Sequence, residues 1–215
     1  MQHSIVRALR ALFQNPVLDS AELIRAELFS VERLDQHAES LAAAQRVTDK
    51  PKTDRRLAAR LRDNGRVLMQ AYRTIAEAIR EERAITPAAE WLVDNFHAVE
   101  EQIRLIRGDL PPGYYRQLPK LAEGPFEGYP RVFGLAWAFI AHTDSRFDPQ
   151  MLCRFVQAYQ RVQPLTIGEL WAVAITLRII LVENLRRAAD RIVRSRAARQ
   201  DADALADKIL GVGIR

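Results

Sequence analysis

The stretch around which the chain is organised runs from Leu170 to Val182. Nearly every position in it is apolar, so it has no polar face, and a helix of this kind is normally covered by neighbours on most sides. A capping box precedes it, in which Thr166 and Glu169 each accept a hydrogen bond from the other's backbone amide. The pattern predicts a central buried helix over residues 166–199, with arginines concentrated in its second half.

Apolar residues also recur at helical spacing along most of the remaining chain. Residues 22–47 and 54–83 are predicted to form two long helices paired as an antiparallel hairpin, the first opened by the capping box Asp19-x-x-Glu22. Further helices are predicted for residues 3–13, 86–108, 131–142, 148–162 and from Asp201 onward. The fold class predicted is therefore all-α, a bundle of about seven to eight helices.

Residues 108–130 have a different composition, with five prolines and four glycines among interleaved aromatic residues. A long loop of this kind is usually functional or packs as an extended strap. A domain boundary is the alternative, although the aromatic content favours packing. We expect a hairpin over residues 1–85, a helical core over 86–200, and in 201–215 the start of a linker or next segment of a longer protein.

The charge balance is basic, with 32 Lys and Arg against 27 Asp and Glu, and only four of the basic residues are lysines. Such an excess suits anionic partners, but arginine–glutamate pairs on solvated helix faces explain it more simply. The single cysteine, Cys153, excludes an intrachain disulfide and suits a reducing compartment. We find no signal peptide and no stretch of about 20 apolar residues, so we expect a soluble, cytoplasmic chain.

Two groups of polar residues are candidates for chemistry. Glu90, Asp94, His97 and Glu101 share one helix face and could hold a metal or act as acid and base. That face is opposite the apolar one, so a solvated polar face is the simpler interpretation.

The second group follows a predicted helix end and consists of His142, Asp144, Arg146 and Asp148. A break between apolar helices is a plausible place for a functional cluster. The alternative is local, because Asp144 suits a turn and Asp148 suits a helix N-cap.

Aromatic side chains could stack on sugar rings or bases. The candidates are Trp91, Trp137, Trp171 and the loop tyrosines. Trp137 and Trp171 lie in apolar runs and are predicted to be core, and Tyr114 and Tyr115, with the adjoining Arg116, are the best candidates for an exposed platform. The chain has no phosphate-binding loop, dinucleotide-binding fingerprint, nucleophile elbow or zinc-ligand spacing. The pair Asp201-x-Asp203 resembles a metal–nucleotide motif, but it lies between arginine- and alanine-rich helical segments, so helix capping is favoured.

Four runs together resemble the N-terminal region of bacterial cyclic β-1,2-glucan synthases, over about residues 28–199. They are Glu90–Arg104, Asp109–Leu121, Gly128–Asp148 and Val162–Arg187. The resemblance implies a parent protein that is a large inner-membrane enzyme, which polymerises glucose from UDP-glucose with a divalent metal and adjusts chain length with a phosphorylase-like part. The catalytic motifs of that family would lie beyond Arg215, so no catalytic residue is carried over and no cofactor is expected in this segment.

The resemblance therefore implies a non-catalytic helical domain whose partner is the remainder of the synthase. It would support the transferase core or handle glucan, and it would meet the membrane only through its parent. One alternative is a helical interaction module whose arginine-rich stretch, residues 186–199, binds anionic lipid or nucleic acid, although nucleic acid is not expected. Another alternative is a self-contained carbohydrate-active enzyme.

Overall fold

Eight helices and one two-stranded antiparallel sheet make up the residues that the computed structural model describes, which are 22–51 and 56–210. In chain order the elements are α1 (Val31–Ala44), β1 (Val47–Thr48), α2 (Leu57–Arg80), α3 (Pro87–Asp94), α4 (Phe96–Gly108), α5 (Pro112–Gln117), β2 (Lys120–Leu121), α6 (Arg131–His142), α7 (Pro149–Val162) and α8 (Ile167–Leu210). The all-α prediction is confirmed. The helix predicted for residues 3–13, the Asp19 cap and the last five residues lie outside the described part.

The core is organised around α8, which packs mainly against α2 and α6, while α1 packs mainly against α7. The two long helices expected to pair with each other thus have different main partners. The domain division at residues 85 and 200 stays a prediction. No helix among the described residues has both the length and the apolar character that crossing a bilayer requires.

The prediction of a helix break before Asp201 is wrong, because α8 continues without interruption to Leu210. The sequence from Glu169 to Leu210 contains neither glycine nor proline and is rich in alanine and arginine, which are strong helix formers. Every residue of α8 from residue 197 onward is exposed. The last turns of α8 are therefore helical although no other described residue covers them.

Helix α1 begins at Val31 rather than near residue 22, so the expected early start is also wrong. Residues 22–30, which we call the strap, are not helical, and Ser30 caps α1 with its hydroxyl. Within the strap, the Ala26 amide donates to the Ala141 carbonyl at 2.9 Å and the Ile24 amide donates to a side chain of α8 at 2.7 Å. These acceptors from distant segments replace the hydrogen bonds that a helix would have supplied.

The helix predicted over residues 86–108 is two helices, separated at Asn95. Its backbone there has φ −102° and ψ 8°, and its side-chain amide donates to the Trp91 carbonyl at 2.8 Å. An asparagine that bonds to nearby backbone competes with the helix in this way. The predicted start is confirmed, since the Thr86 hydroxyl accepts from the Ala89 amide and Pro87 is the first helical residue.

The proline-rich segment 108–130 packs against the bundle and contains α5 and β2, so it is not wholly irregular. Strand β2 pairs with β1 through Val47 opposite Leu121, and the Leu121 amide also donates to the Tyr129 carbonyl at 2.9 Å. Gly124 and Gly128 have φ values of 85° and 81°, a conformation that glycine adopts without a steric cost.

Two buried clusters of charged side chains join α8 to neighbouring helices. Glu169 is fully buried, and its carboxylate accepts from Arg131 at 2.8 and 2.6 Å and from the Thr166 amide at 2.9 Å. The Thr166 hydroxyl accepts from the Glu169 amide at 3.2 Å, which confirms the capping box. A buried carboxylate with every partner in place fixes the first turn of α8 in one position.

The second cluster surrounds Glu183, which is 1% exposed. Arg60 donates to both of its carboxylate oxygens at 2.9 and 2.6 Å, and Arg187 and Arg186 donate at 3.0 and 3.2 Å. Burial acts to raise the pKa of Glu183, but the three guanidinium groups, Arg60 first, outweigh it and lower that pKa. The cluster joins α2 to α8 at the centre of the bundle.

Candidate functional site

The bend after α6 holds the strap in place. The His142 ring stacks on Phe29 at 3.9 Å between centroids, and its Nδ1 lies 2.7 Å from the Glu27 carbonyl oxygen. Arg25 donates to both carboxylate oxygens of Asp144 at 2.7 and 2.6 Å, and this bonding lowers the pKa of Asp144. Both residues therefore have structural partners in the strap.

The other two members of that predicted cluster do not converge on His142 and Asp144. Asp148 caps α7 by accepting from the Gln150 and Met151 amides at 2.8 and 3.1 Å, which is the helix-capping role predicted as the alternative. The Arg146 side chain is exposed. The structure thus distributes this group between a turn, a cap and the surface.

The polar group on α3 and α4 is fully solvated. Glu90, Asp94, His97 and Glu101 are all exposed, and Glu101 has an ion-pair contact of 3.6 Å with Arg104. Asp94 and His97 fall on different helices because α3 ends before Asn95. Within the described residues, no group of three or more His, Cys, Asp or Glu side chains is placed to hold a metal ion.

The two tyrosines of α5 are less accessible than the predicted platform requires. Tyr115 is 8% exposed, and burial raises its pKa. Tyr114 is half-buried and donates from its hydroxyl to the Gly168 carbonyl at the start of α8. Arg116 alone is exposed. The α5 tyrosines thus act mainly as a support for α8, so the exposed aromatic platform predicted there is not present in this form.

Trp171 was expected in the core, and that expectation is wrong, because its side chain is 75% exposed. Ile167 is 70% exposed and Leu170 is 38% exposed on the same turns of α8. We call these three residues the head patch. By contrast, Trp137 packs against the core as predicted, with the Arg187 guanidinium 5.0 Å from its ring centroid.

One signal in the sequence could have identified the head patch. Arg178 lies seven residues after Trp171, so both are on one side of the helix. Arg178 is partly exposed and bonds to Asp109 and Gln102 at 3.1 and 3.0 Å. The only charged residue inside the apolar run therefore marks the side of α8 that is least covered.

The described residues define an all-helical unit with a central helix, two buried ion clusters and an exposed apolar patch at the start of that helix. No family model matches the chain. Over 193 residues it is 39% identical to the cyclic β-(1,2)-glucan synthase NdvB of Rhizobium meliloti (strain 1021). The resemblance to this class of synthase is confirmed.

The match covers 90% of this chain but only 7% of NdvB. The chain is therefore related to a short region of that synthase. The match itself identifies no catalytic residue in this chain.

Proposed function

We propose that this chain is a non-catalytic helical domain of a cyclic β-1,2-glucan synthase and that it supports the UDP-glucose-dependent transferase part by docking against it. The observation that carries the proposal is the 39% identity across nearly the whole chain to a region of a much longer synthase. A region of this size within a large protein has neighbours, and the head patch is suited to contact one of them.

The head patch has the composition of a protein interface. Large aromatic side chains are enriched among the residues that dominate binding energy at such interfaces. Ile167 and Leu170 beside Trp171 are aliphatic, whereas sugar sites usually surround a stacking ring with placed polar groups. The patch therefore favours contact with protein over contact with glucan.

The head patch is also held rigidly, which lowers the entropic cost of binding. Glu169 lies within the patch sequence but points inward to Arg131. From the other side, the Tyr114 hydroxyl bonds to the backbone of Gly168. Both contacts fix the first turn of α8 before any partner arrives.

A chimera tests the proposal. This chain would replace the matching 193 residues of NdvB, and membranes would be assayed for cyclic glucan formed from UDP-glucose. Trp171→Ser should lower synthesis at least tenfold, because truncating an interface tryptophan costs about 2 kcal/mol or more. Trp91→Ser is the matched control, since Trp91 is 56% exposed on α3 and outside the head patch.

Three results would contradict the proposal. Glucosyl transfer from UDP-glucose by the isolated chain would make it an enzyme. Equal synthesis by the two tryptophan variants, at equal protein amounts on immunoblots, would remove the head patch from the interface. An inactive chimera with the unsubstituted chain would show that it does not replace the NdvB region.

Glucan handling is a second candidate, favoured by the exposed indole of Trp171. Titrating the ¹⁵N-labelled chain with a β-1,2-linked glucan and recording amide and indole resonances separates the two roles. Saturable shifts confined to Trp171 and Tyr114 would support glucan binding. Unchanged spectra at millimolar glucan would leave docking as the role.

A further inference from the structure

A groove lies along the second half of α8, where it faces the connection between α2 and α3. Its volume is about 620 Å³, and its floor is apolar, including Leu23, Ile85 and Ile192. Several alanines from α3 and α8 also line it. We call this feature the arginine groove because of its rim.

Arg191, Arg196 and Arg199 line the rim. Among the described residues none of the three has an ion-pair partner, whereas Arg194 of the same helix segment pairs with Asp190 at 2.8 Å. Arg196 and Arg199 are three residues apart, and like charges at that spacing repel each other. One terminal nitrogen of Arg196, Nη1, is shielded from solvent without a hydrogen-bond partner in the described structure.

An apolar stripe continues from the groove toward the end of α8. Ala198, Ala202, Leu205 and Ile209 follow one another in alternating steps of four and three, so they lie on one helix face. Arg191 and Ser195, which line the groove, continue the same spacing toward the groove. In the last turns this face carries Leu205 and Ile209, which are 58% and 75% exposed. From residue 188 to 209 the groove and the stripe together extend for about 32 Å at 1.5 Å per residue.

We propose that the arginine groove and this stripe bind an amphipathic helix of a partner protein segment, with acidic residues flanking its apolar face. A helix of about 21 residues matches the length of the surface, and its apolar face matches the apolar floor of the groove and, farther along, Leu205 and Ile209 of the stripe. Helix-in-groove recognition has this geometry. Glutamates or aspartates on its flanks would pair with the three rim arginines.

The charges of the surface favour this occupant over others. Residues 1–21 of the chain carry two arginines and one aspartate, so their charge does not complement the rim. Asp203 lines the groove and Asp207 follows it on the exposed end of α8. These carboxylates would repel an anionic membrane surface, whereas a single helix can place its acidic residues opposite arginines alone.

The test uses the full chain and two fluorescein-labelled model peptides of about 21 residues. Both carry leucines at the apolar positions of a heptad, one with glutamates and the other with lysines on the flanks. In fluorescence anisotropy at low salt, the chain should bind the glutamate peptide at least tenfold more tightly than the lysine peptide. The double variant Arg191→Glu/Arg199→Glu should reverse this preference.

Two further variants locate the contact. Leu205→Ser/Ile209→Ser should weaken the glutamate peptide at least tenfold, since both residues are exposed and their loss leaves the core intact. Arg62→Glu/Arg73→Glu makes the same charge change on exposed positions of α2 and should leave binding unchanged. Circular dichroism of each variant confirms that the fold is kept.

Several outcomes would overturn the proposal. The first is absence of binding, and the second is equal affinity for the two peptides. Flotation with phosphatidylglycerol vesicles that Arg191→Glu/Arg199→Glu abolishes would assign the groove to lipid. Self-association that Leu205→Ser/Ile209→Ser abolishes would assign the stripe to a second copy. Peptide binding that requires removal of residues 1–21 would assign the groove to that segment. The proposal does not depend on the role of the head patch.

Discussion

Replacing Glu183 with glutamine removes the negative charge of the cluster that joins α2 to α8 and keeps the size of the side chain. In the structure its carboxylate accepts hydrogen bonds from Arg60, Arg187 and Arg186 at distances between 2.6 and 3.2 Å. Glutamine keeps one acceptor oxygen, but its amide nitrogen is a donor directed at guanidinium donors. Three cations then surround a neutral group in a site that is almost closed to water.

The expected cost is large because removing one partner of a buried ion pair costs about 3–5 kcal/mol. The free energy of unfolding of a natural domain is about 5–15 kcal/mol, so the variant should lose a large fraction of it. With a denaturant slope of about 2–3 kcal/mol/M in urea, the midpoint should fall by about 1–2 M.

The pH dependence follows from the lowered pKa of Glu183. A carboxyl group whose folded pKa lies below its unfolded value contributes stability that is complete above the unfolded value, 4.5. That contribution is lost as the pH falls through the folded pKa. The difference in unfolding free energy between the native chain and Glu183→Gln should therefore be constant from pH 7 to 5 and shrink below about pH 4.5.

The assay is urea unfolding followed by circular dichroism at 222 nm at several pH values. Asp190→Asn is the matched control, because it removes the carboxylate from the partly exposed pair with Arg194 on the same helix. An exposed pair of this spacing contributes about 0–0.5 kcal/mol. A Glu183→Gln loss below 1 kcal/mol, or a difference that does not shrink in acid, would refute the reasoning.

Three further predictions concern single positions. Ser30→Ala removes the N-cap of α1 and should lower the unfolding free energy by about 1 kcal/mol in urea titration, whereas Ser30→Asp should restore it. Gly134→Ala would place a Cβ 2.6 Å from the side-chain amide nitrogen of Gln45, whose amide oxygen accepts from the Tyr159 hydroxyl, and 3.2 Å from Leu121. A loss of about 1–3 kcal/mol is therefore expected, and no loss would contradict the packing. Burial, with a smaller effect from His142, lowers the pKa of His37 below 6.5. The unfolded chain therefore takes up a proton more readily than the folded one, and stability should fall as the pH decreases from 7 to 5. His37→Phe should flatten this pH dependence of the melting temperature.

The sequence predicted the local starts of helices well and the long-range pairing poorly. The caps at Thr86, Asp148 and Thr166 depend on residues three positions apart, and all three are present in the structure. The start of α1 was missed because the strap amides bond to Ala141 and other distant acceptors. No local pattern contains those acceptors.

For the candidate site, too, local patterns were predicted correctly and long-range contacts were not. The resemblance to a glucan synthase was recognised from four continuous stretches of sequence, and the 39% identity confirms it. The sequence could not decide between a functional and a structural role for His142 and Asp144, because their partners, Phe29 and Arg25, are more than 110 residues away. A turn, a cap and a catalytic group use the same polar residue types, so composition alone did not separate them.

The central helix α8 shows what the sequence determined and what the tertiary structure decided. Its capping box and the absence of glycine and proline after Gly168 determined that α8 forms and where it starts. Hydropathy along the run indicated burial on most sides, and only the tertiary structure decided that Trp171 is exposed while Glu183 is buried. The physical reason is that helix formation depends on neighbours within one turn, whereas burial depends on which distant helices supply covering surface and opposite charge.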